Sequence, residues 1–66
     1  MRVKVNRTSL DLFEGAQVRH ALLRYFVRRK YDLKLVEQAP VFDAYGHGLD
    51  LDAPLHDGMI LKCKVR

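Results

Sequence analysis

Two periods of hydrophobic and polar positions divide this chain. Between Ala16 and Lys30, the residues Val18, Leu22, Tyr25, Phe26 and Arg29 recur at i, i+4, i+7, i+8 and i+11, which is one face of an α-helix. Ala21 widens the stripe, while Arg19, His20, Arg24, Arg28 and Lys30 take the other side. Before and after this stretch the pattern alternates with period two, as strands do. Arg2-Val3-Lys4-Val5 predicts a half-buried strand with Val3 and Val5 inward. Asn6-Arg7-Thr8 predicts a turn, and residues 9–13 a return strand with Leu10 and Leu12 inward. Glu14-Gly15 breaks that strand and opens the helix. Ala16 and Gln17 stand where Ser, Thr, Asp or Asn would cap it, so no ordinary cap is expected. Glu14 near the start and Arg28, Arg29 and Lys30 at the end suit the helix dipole.

The second half is built of shorter pieces. Leu33 and Leu35 alternate and predict an extended connection that Pro40 ends. Residues 41–45 predict a short strand, and Gly46-His47-Gly48 a turn whose two glycines suit positive φ. Residues 49–51 predict a brief return strand, residues 52–54 another turn, and Leu55 a core plug from a short helical turn. Asp57-Gly58 leads into the last strand, residues 59–66, with Met59, Leu61, Cys63 and Val65 on one face. Ile60, Lys62, Lys64 and Arg66 share its other face. The order is therefore β-β-α-β-β-β, an α+β fold in one domain, residues 1–66, with a mixed sheet packed on one helix. That is the β-grasp (ubiquitin-like) arrangement, in which the first and last strands lie side by side and parallel at the centre. The helical crossover is what permits parallel pairing.

Composition narrows the functional classes. A chain of 66 residues is enough for one small core, burying about 60% of its unfolded surface. With 48% apolar and 30% charged residues, the mixture is that of a folded protein. The single cysteine, Cys63, excludes an internal disulfide framework and fits a reducing compartment. No apolar run approaches the ~20 residues of a membrane span, and the opening MRVKVN lacks the apolar core of a signal peptide. A cytoplasmic protein with no membrane partner is expected. The charge is divided: Leu35 to Leu61 holds five carboxylates and no Lys or Arg. The remainder holds all 12 Lys and Arg against Asp11, Glu14 and Asp32. Such a chain folds with a charge asymmetry on its surface.

If the first and last strands pair in parallel, Arg2 and Lys4 lie beside Lys62, Lys64 and Arg66 on one exposed sheet face. Two readings stand. Such a face keeps a small protein soluble, or it docks an acidic partner or phosphates. Like charges across strands oppose folding, which is a reason to ask what they are for. Arg24, Arg28, Arg29, Lys30 and Lys34 read as a second basic patch or, the reading preferred, as a solvated helix face. Tyr25 and Phe26 belong to the core stripe, which leaves little aromatic surface for stacking bases. His47, His56, Asp50, Asp52 and Asp57 match no metal-ligand spacing, and Cys63 faces the core as a structural thiol. No Ser/His/Asp constellation and no phosphate-cradling loop is present, so neither catalytic residues nor a cofactor are expected.

Val5-Asn6, Leu12, Glu14-Gly15-Ala16, Val18 and Leu22-Leu23 resemble the opening of the ThiS/MoaD family, the ubiquitin-like sulfur carriers of thiamin and molybdopterin biosynthesis. Leu55-His56-Asp57-Gly58-Met59-Ile60 is similar to that family's Leu-x-Asp-Gly-Asp-x-Ile approach to the final strand, with Met59 in place of its second Asp. The resemblance implies the β-grasp fold and a partner-binding sheet face. The family's chemistry resides in a C-terminal Gly-Gly whose carboxylate is adenylated and then takes up sulfur. Here the sequence closes on Lys64-Val65-Arg66. The expected function is a non-catalytic interaction module. It docks an acidic protein surface, such as that of an activating or sulfur-transfer enzyme, through Arg2, Lys4, Lys62, Lys64 and Arg66. Two alternatives stand beside it: a sulfur carrier whose Gly-Gly tail lies outside this sequence, and a nucleic-acid-binding β-grasp module related to the TGS domains.

Overall fold

The computed structural model describes residues 1–64. It is a small α+β protein in which one helix covers one face of a four-stranded mixed sheet. The strands are β1 (Arg2–Val5), β2 (Thr8–Asp11), β3 (Val41–Asp43) and β4 (Ile60–Cys63), in the spatial order β2-β1-β4-β3. β1 pairs antiparallel with β2 and parallel with β4, while β3 pairs antiparallel with β4. The first and last strands are thus central and parallel, as the sequence pattern predicts. The hairpin turn is tighter than three residues. Val5 pairs with Thr8, and Asn6 and Arg7 carry φ of 49° and 72°. Positive φ at both central residues is the two-residue turn whose twist matches the flanking strands.

The helix α1 (Val18–Arg29) buries Val18, Ala21, Leu22, Tyr25 and Phe26. These pack on Val3, Val5, Leu10, Leu12, Val41, Leu61 and Cys63 from the inner sheet face. Arg29, placed on the same stripe by spacing, is exposed. The rings of Tyr25, Phe26 and Tyr31 pack edge-to-face, with centroids 5.6–6.3 Å apart, and close that end of the core.

Five further expectations are corrected. A cap does exist: Gln17 and His20 form a reciprocal capping box, with the Gln17 N–H donating to His20 Nδ1 at 2.8 Å. Leu33–Leu35 is a short 3₁₀ turn, not an extended connection, because the Asp32 side chain accepts from Lys34 N–H. Residues 49–51 form no strand. Their backbone is drawn to the start of α1, where the Leu51 and Ala53 carbonyls accept from Arg19 and Val18 N–H at 3.0 Å. They satisfy donors that every helix start leaves open, and the Arg19–Asp52 ion pair reinforces the contact. Leu55 follows in extended chain, its N–H bonded to Ala16 C=O, so it packs on the core without a helical turn. Gly46 takes a φ of 85°, but Gly48 has no positive φ and instead bridges to Phe42. Val65 and Arg66, expected in the last strand, lie outside the described residues.

Candidate interaction surface

Two side chains extend the short parallel ladder between β1 and β4 beyond its backbone pairs. Only Lys4↔Ile60 and Val5↔Leu61 are in register, with Lys4 N–H bonded to Met59 C=O and Asn6 N–H to Leu61 C=O. At one end, Asp57 Oδ1 accepts from Arg2 N–H at 2.7 Å while Gly58 N–H donates to Arg2 C=O at 2.7 Å. Gly58 makes this turn at a φ of 85°, which explains the Asp-Gly pair. At the other end, Asn6 Oδ1 accepts from Cys63 N–H at 3.0 Å and Asn6 Nδ2 donates to Cys63 C=O at 2.7 Å. The carboxamide thus acts as one more peptide unit, and Nδ2 also lies 3.3 Å from the Tyr25 hydroxyl. The sequence pattern places Asn6 in the turn, where it does lie, but does not show this second role. The signal available was an Asn at the end of a strand, a residue type that tolerates positive φ.

These anchors set which side chains share the outer sheet face. Arg2, Lys4, Ser9, Asp11, Phe42, Ile60, Lys62 and Lys64 are all exposed there, while Val3, Val5, Leu10, Leu12, Val41, Leu61 and Cys63, which alternate with them, are buried against the helix. The cations are not stacked side by side as expected. Lys4 stands beside Ile60 and Ser9, and Lys62 stands across from Phe42, so apolar side chains separate them. Arg2 is not a free cation. Its guanidinium donates to both Asp11 carboxylate oxygens, at 3.2 and 3.4 Å, across the hairpin. Arg2 holds the Asp11 carboxyl below its usual range through that hydrogen bond first and its charge second. The face that remains is Lys4, Lys62 and Lys64 around Ile60 and Phe42, with Tyr45 standing almost wholly in solvent at the end of β3. Shallow hollows flank Ile60, one beside Lys4 and Asp57 and the other beside Tyr45 and His56.

The other sequence candidates do not join this surface. Asp43 accepts from the Tyr45 and His47 N–H groups at 2.9 Å, and the His47 bond first holds its carboxyl below the usual range. Cys63 is buried, and burial pushes its thiol up, so it is an unreactive core residue at neutral pH. Among the described residues no three of His, Cys, Asp and Glu converge on one point. No helix among them is long and apolar enough to cross a membrane. Comparisons with protein-family models, curated proteins and solved structures return no match for this chain.

Proposed function

We propose that this chain is a ubiquitin-like, β-grasp protein of ThiS/MoaD type that serves as a non-catalytic docking module. Its outer sheet face receives a protein partner with an acidic surface. The observation that carries the reading is the one-sided sheet. The helix covers one face, and the other presents Ile60 and Phe42 ringed by Lys4, Lys62 and Lys64. An apolar centre with a charged rim is how recognition surfaces divide their work: the centre supplies desolvation energy, the rim steering and selectivity. Exposed Ile60 on the central strand β4 and Phe42 beside it on β3 also give such a face something to bury. The ladder anchors Asp57 and Asn6 keep β4 in register and so hold this arrangement rigid.

The test is charge reversal. Lys4, Lys62 and Lys64 are each replaced by Glu together, and binding of an acidic partner enzyme such as a sulfur-carrier activating enzyme is followed by titration calorimetry. Loss of binding with an unchanged circular dichroism spectrum is the expected result. Equal binding by the triple variant removes this face from consideration.

A further inference from the structure

The sheet has two edges, and they differ. On β3, residues 47–49 fold back over the edge, with Asp43 N–H bonded to His47 C=O and Leu49 N–H to Val41 C=O. Nothing comparable covers β2 among the described residues. In the antiparallel β1–β2 pair the bonded partners alternate. Met1 and Leu12 exchange both bonds, at 2.7 and 2.8 Å, and Val3↔Leu10 and Val5↔Thr8 follow the same parity. Ser9 and Asp11 therefore turn their N–H and C=O groups outward. The Ser9 carbonyl bears this out, because Arg28 reaches it from the helix at 3.3 Å.

Beside this edge, between β2 and α1, runs a groove lined by Leu12, Phe13, His20, Leu23, Arg24 and Val27. Phe13 and Val27 are 57% and 60% exposed, unusual for side chains of that size next to a formed core. The Phe13 ring packs edge-to-face on His20, with centroids 4.9 Å apart. At the rim stand Arg24 and Arg28, neither in an ion pair among the described residues.

An unpaired edge needs a backbone, an apolar groove needs every second side chain of that backbone to be apolar, and two guanidiniums with no carboxylate partner among the described residues call for carboxylates. We propose that the β2 edge and the adjoining groove bind an extended peptide segment by strand addition, one with alternating apolar residues and flanking Asp or Glu. Main-chain bonds to Ser9 and Asp11 supply affinity, and the pockets for alternate side chains supply selectivity. In the complex a peptide N–H replaces Arg28 at the Ser9 carbonyl, and Arg28 turns to a peptide carboxylate. This site is separate from the outer sheet face and stands whether or not that face docks a partner.

The probe is a synthetic peptide of about eight residues, an ordinary strand length, with alternating Val and Thr followed by Asp and Glu. It is titrated into the isotopically labelled 66-residue chain and followed by amide NMR. Shifts confined to Ser9–Phe13 and Leu23–Arg28 are expected. Two further peptides carry N-methyl groups on odd or on even amides. Strand addition uses one parity only, so one of them must lose binding and the other keep it. Arg24→Glu with Arg28→Glu should weaken binding at least about 5-fold, the scale of an exposed ion pair. Val27→Gln, at a solvent-facing position, should weaken it without changing the fold. The proposal is overturned if no shift appears at about 1 mM peptide, the weak end of useful affinity. It is equally overturned by equal binding of both methylated peptides, by shifts centred on Lys4, Ile60 and Lys62, or by edge protection that follows protein concentration without peptide, which means self-pairing.

Discussion

Asn6 concentrates more of the architecture in one side chain than any other polar residue here. It takes a φ of 49°, closes the hairpin, and holds Cys63 through two bonds of 2.7 and 3.0 Å. Asn6→Gly keeps the turn but loses both bonds, and Asn6→Ala loses the bonds and strains the turn. Urea unfolding should give about 1–3 kcal/mol for Asn6→Ala, the range for losing bonds to a partly buried group plus left-handed strain, and less for Asn6→Gly. Equal losses would mean that the turn conformation contributes nothing. Asp43 offers a second measurement. Its carboxyl is held low in the folded state, chiefly by the His47 N–H. A depressed folded pKa contributes stability that is present above the unfolded value and lost as pH falls through the folded one. Asp43→Asn can still accept both N–H groups, so its acid unfolding curve should be flatter than the wild type below the usual carboxylate range. A carboxyl NMR titration of Asp43 at an ordinary value would sink this account.

At the scale of elements, α1 is fixed at its base by tertiary partners as much as by its own sequence. Its first N–H groups go to Ala53 and Leu51, and Gln17 and His20 close the cap. His20→Ala should lower the melting temperature by an amount corresponding to about 1 kcal/mol, the scale of a lost cap. The Phe13 ring would lose its brace in the same variant. Phe26 lies at the centre of the helix face and is completely buried. Phe26→Ala should destabilise by ~3–5 kcal/mol, as aromatic truncations in cores do. In a domain this small that is most of the available stability, so circular dichroism should find the variant largely unfolded at room temperature. A cooperative melt close to the wild type would show that the core re-forms without the ring.

For the whole molecule the uneven charge places cations on separate surfaces. Lys4, Lys62 and Lys64 stand on the outer face, and Arg24 and Arg28 stand beside the groove. Arg2 is withdrawn from the first by Asp11, and Arg19 from the helix by Asp52. Reversing Lys4, Lys62 and Lys64 should alter stability by less than ~0.5 kcal/mol each, since all three are exposed and unpaired partners are not left behind. A partner held by the outer face should associate more slowly as salt rises past physiological strength, where screening acts beyond ~8 Å. Stopped-flow association across a salt series checks this. A log–log slope that scales with several neutralised phosphates would identify a nucleic acid in place of a protein.

Much of this molecule follows from period alone. The inward residues Val3, Val5, Leu10, Leu12, Leu22, Phe26 and Leu61 are all buried, because burial of a strand or helix face is a local consequence of period two or 3.6. The parallel centre follows as well, since a hairpin joined by one helix to a last strand has few ways to close. What the chain could not declare locally is where groups without a periodic role find partners. Residues 49–51 alternate like a strand, but the open donors at the start of α1 bind their carbonyls instead. Asn6 and Asp57 read as turn residues until the fold brings Cys63 and Arg2 within reach. Arg2 reads as part of a basic face until the hairpin register sets Asp11 against it. The open β2 edge was equally hidden. Each half of that groove lies in a different element, and Phe13, Leu23 and Val27 form a surface only once β2 and α1 are laid side by side. Hydrogen-bond partners, ion pairs and grooves are properties of pairs distant in sequence, and tertiary structure alone brings those pairs together.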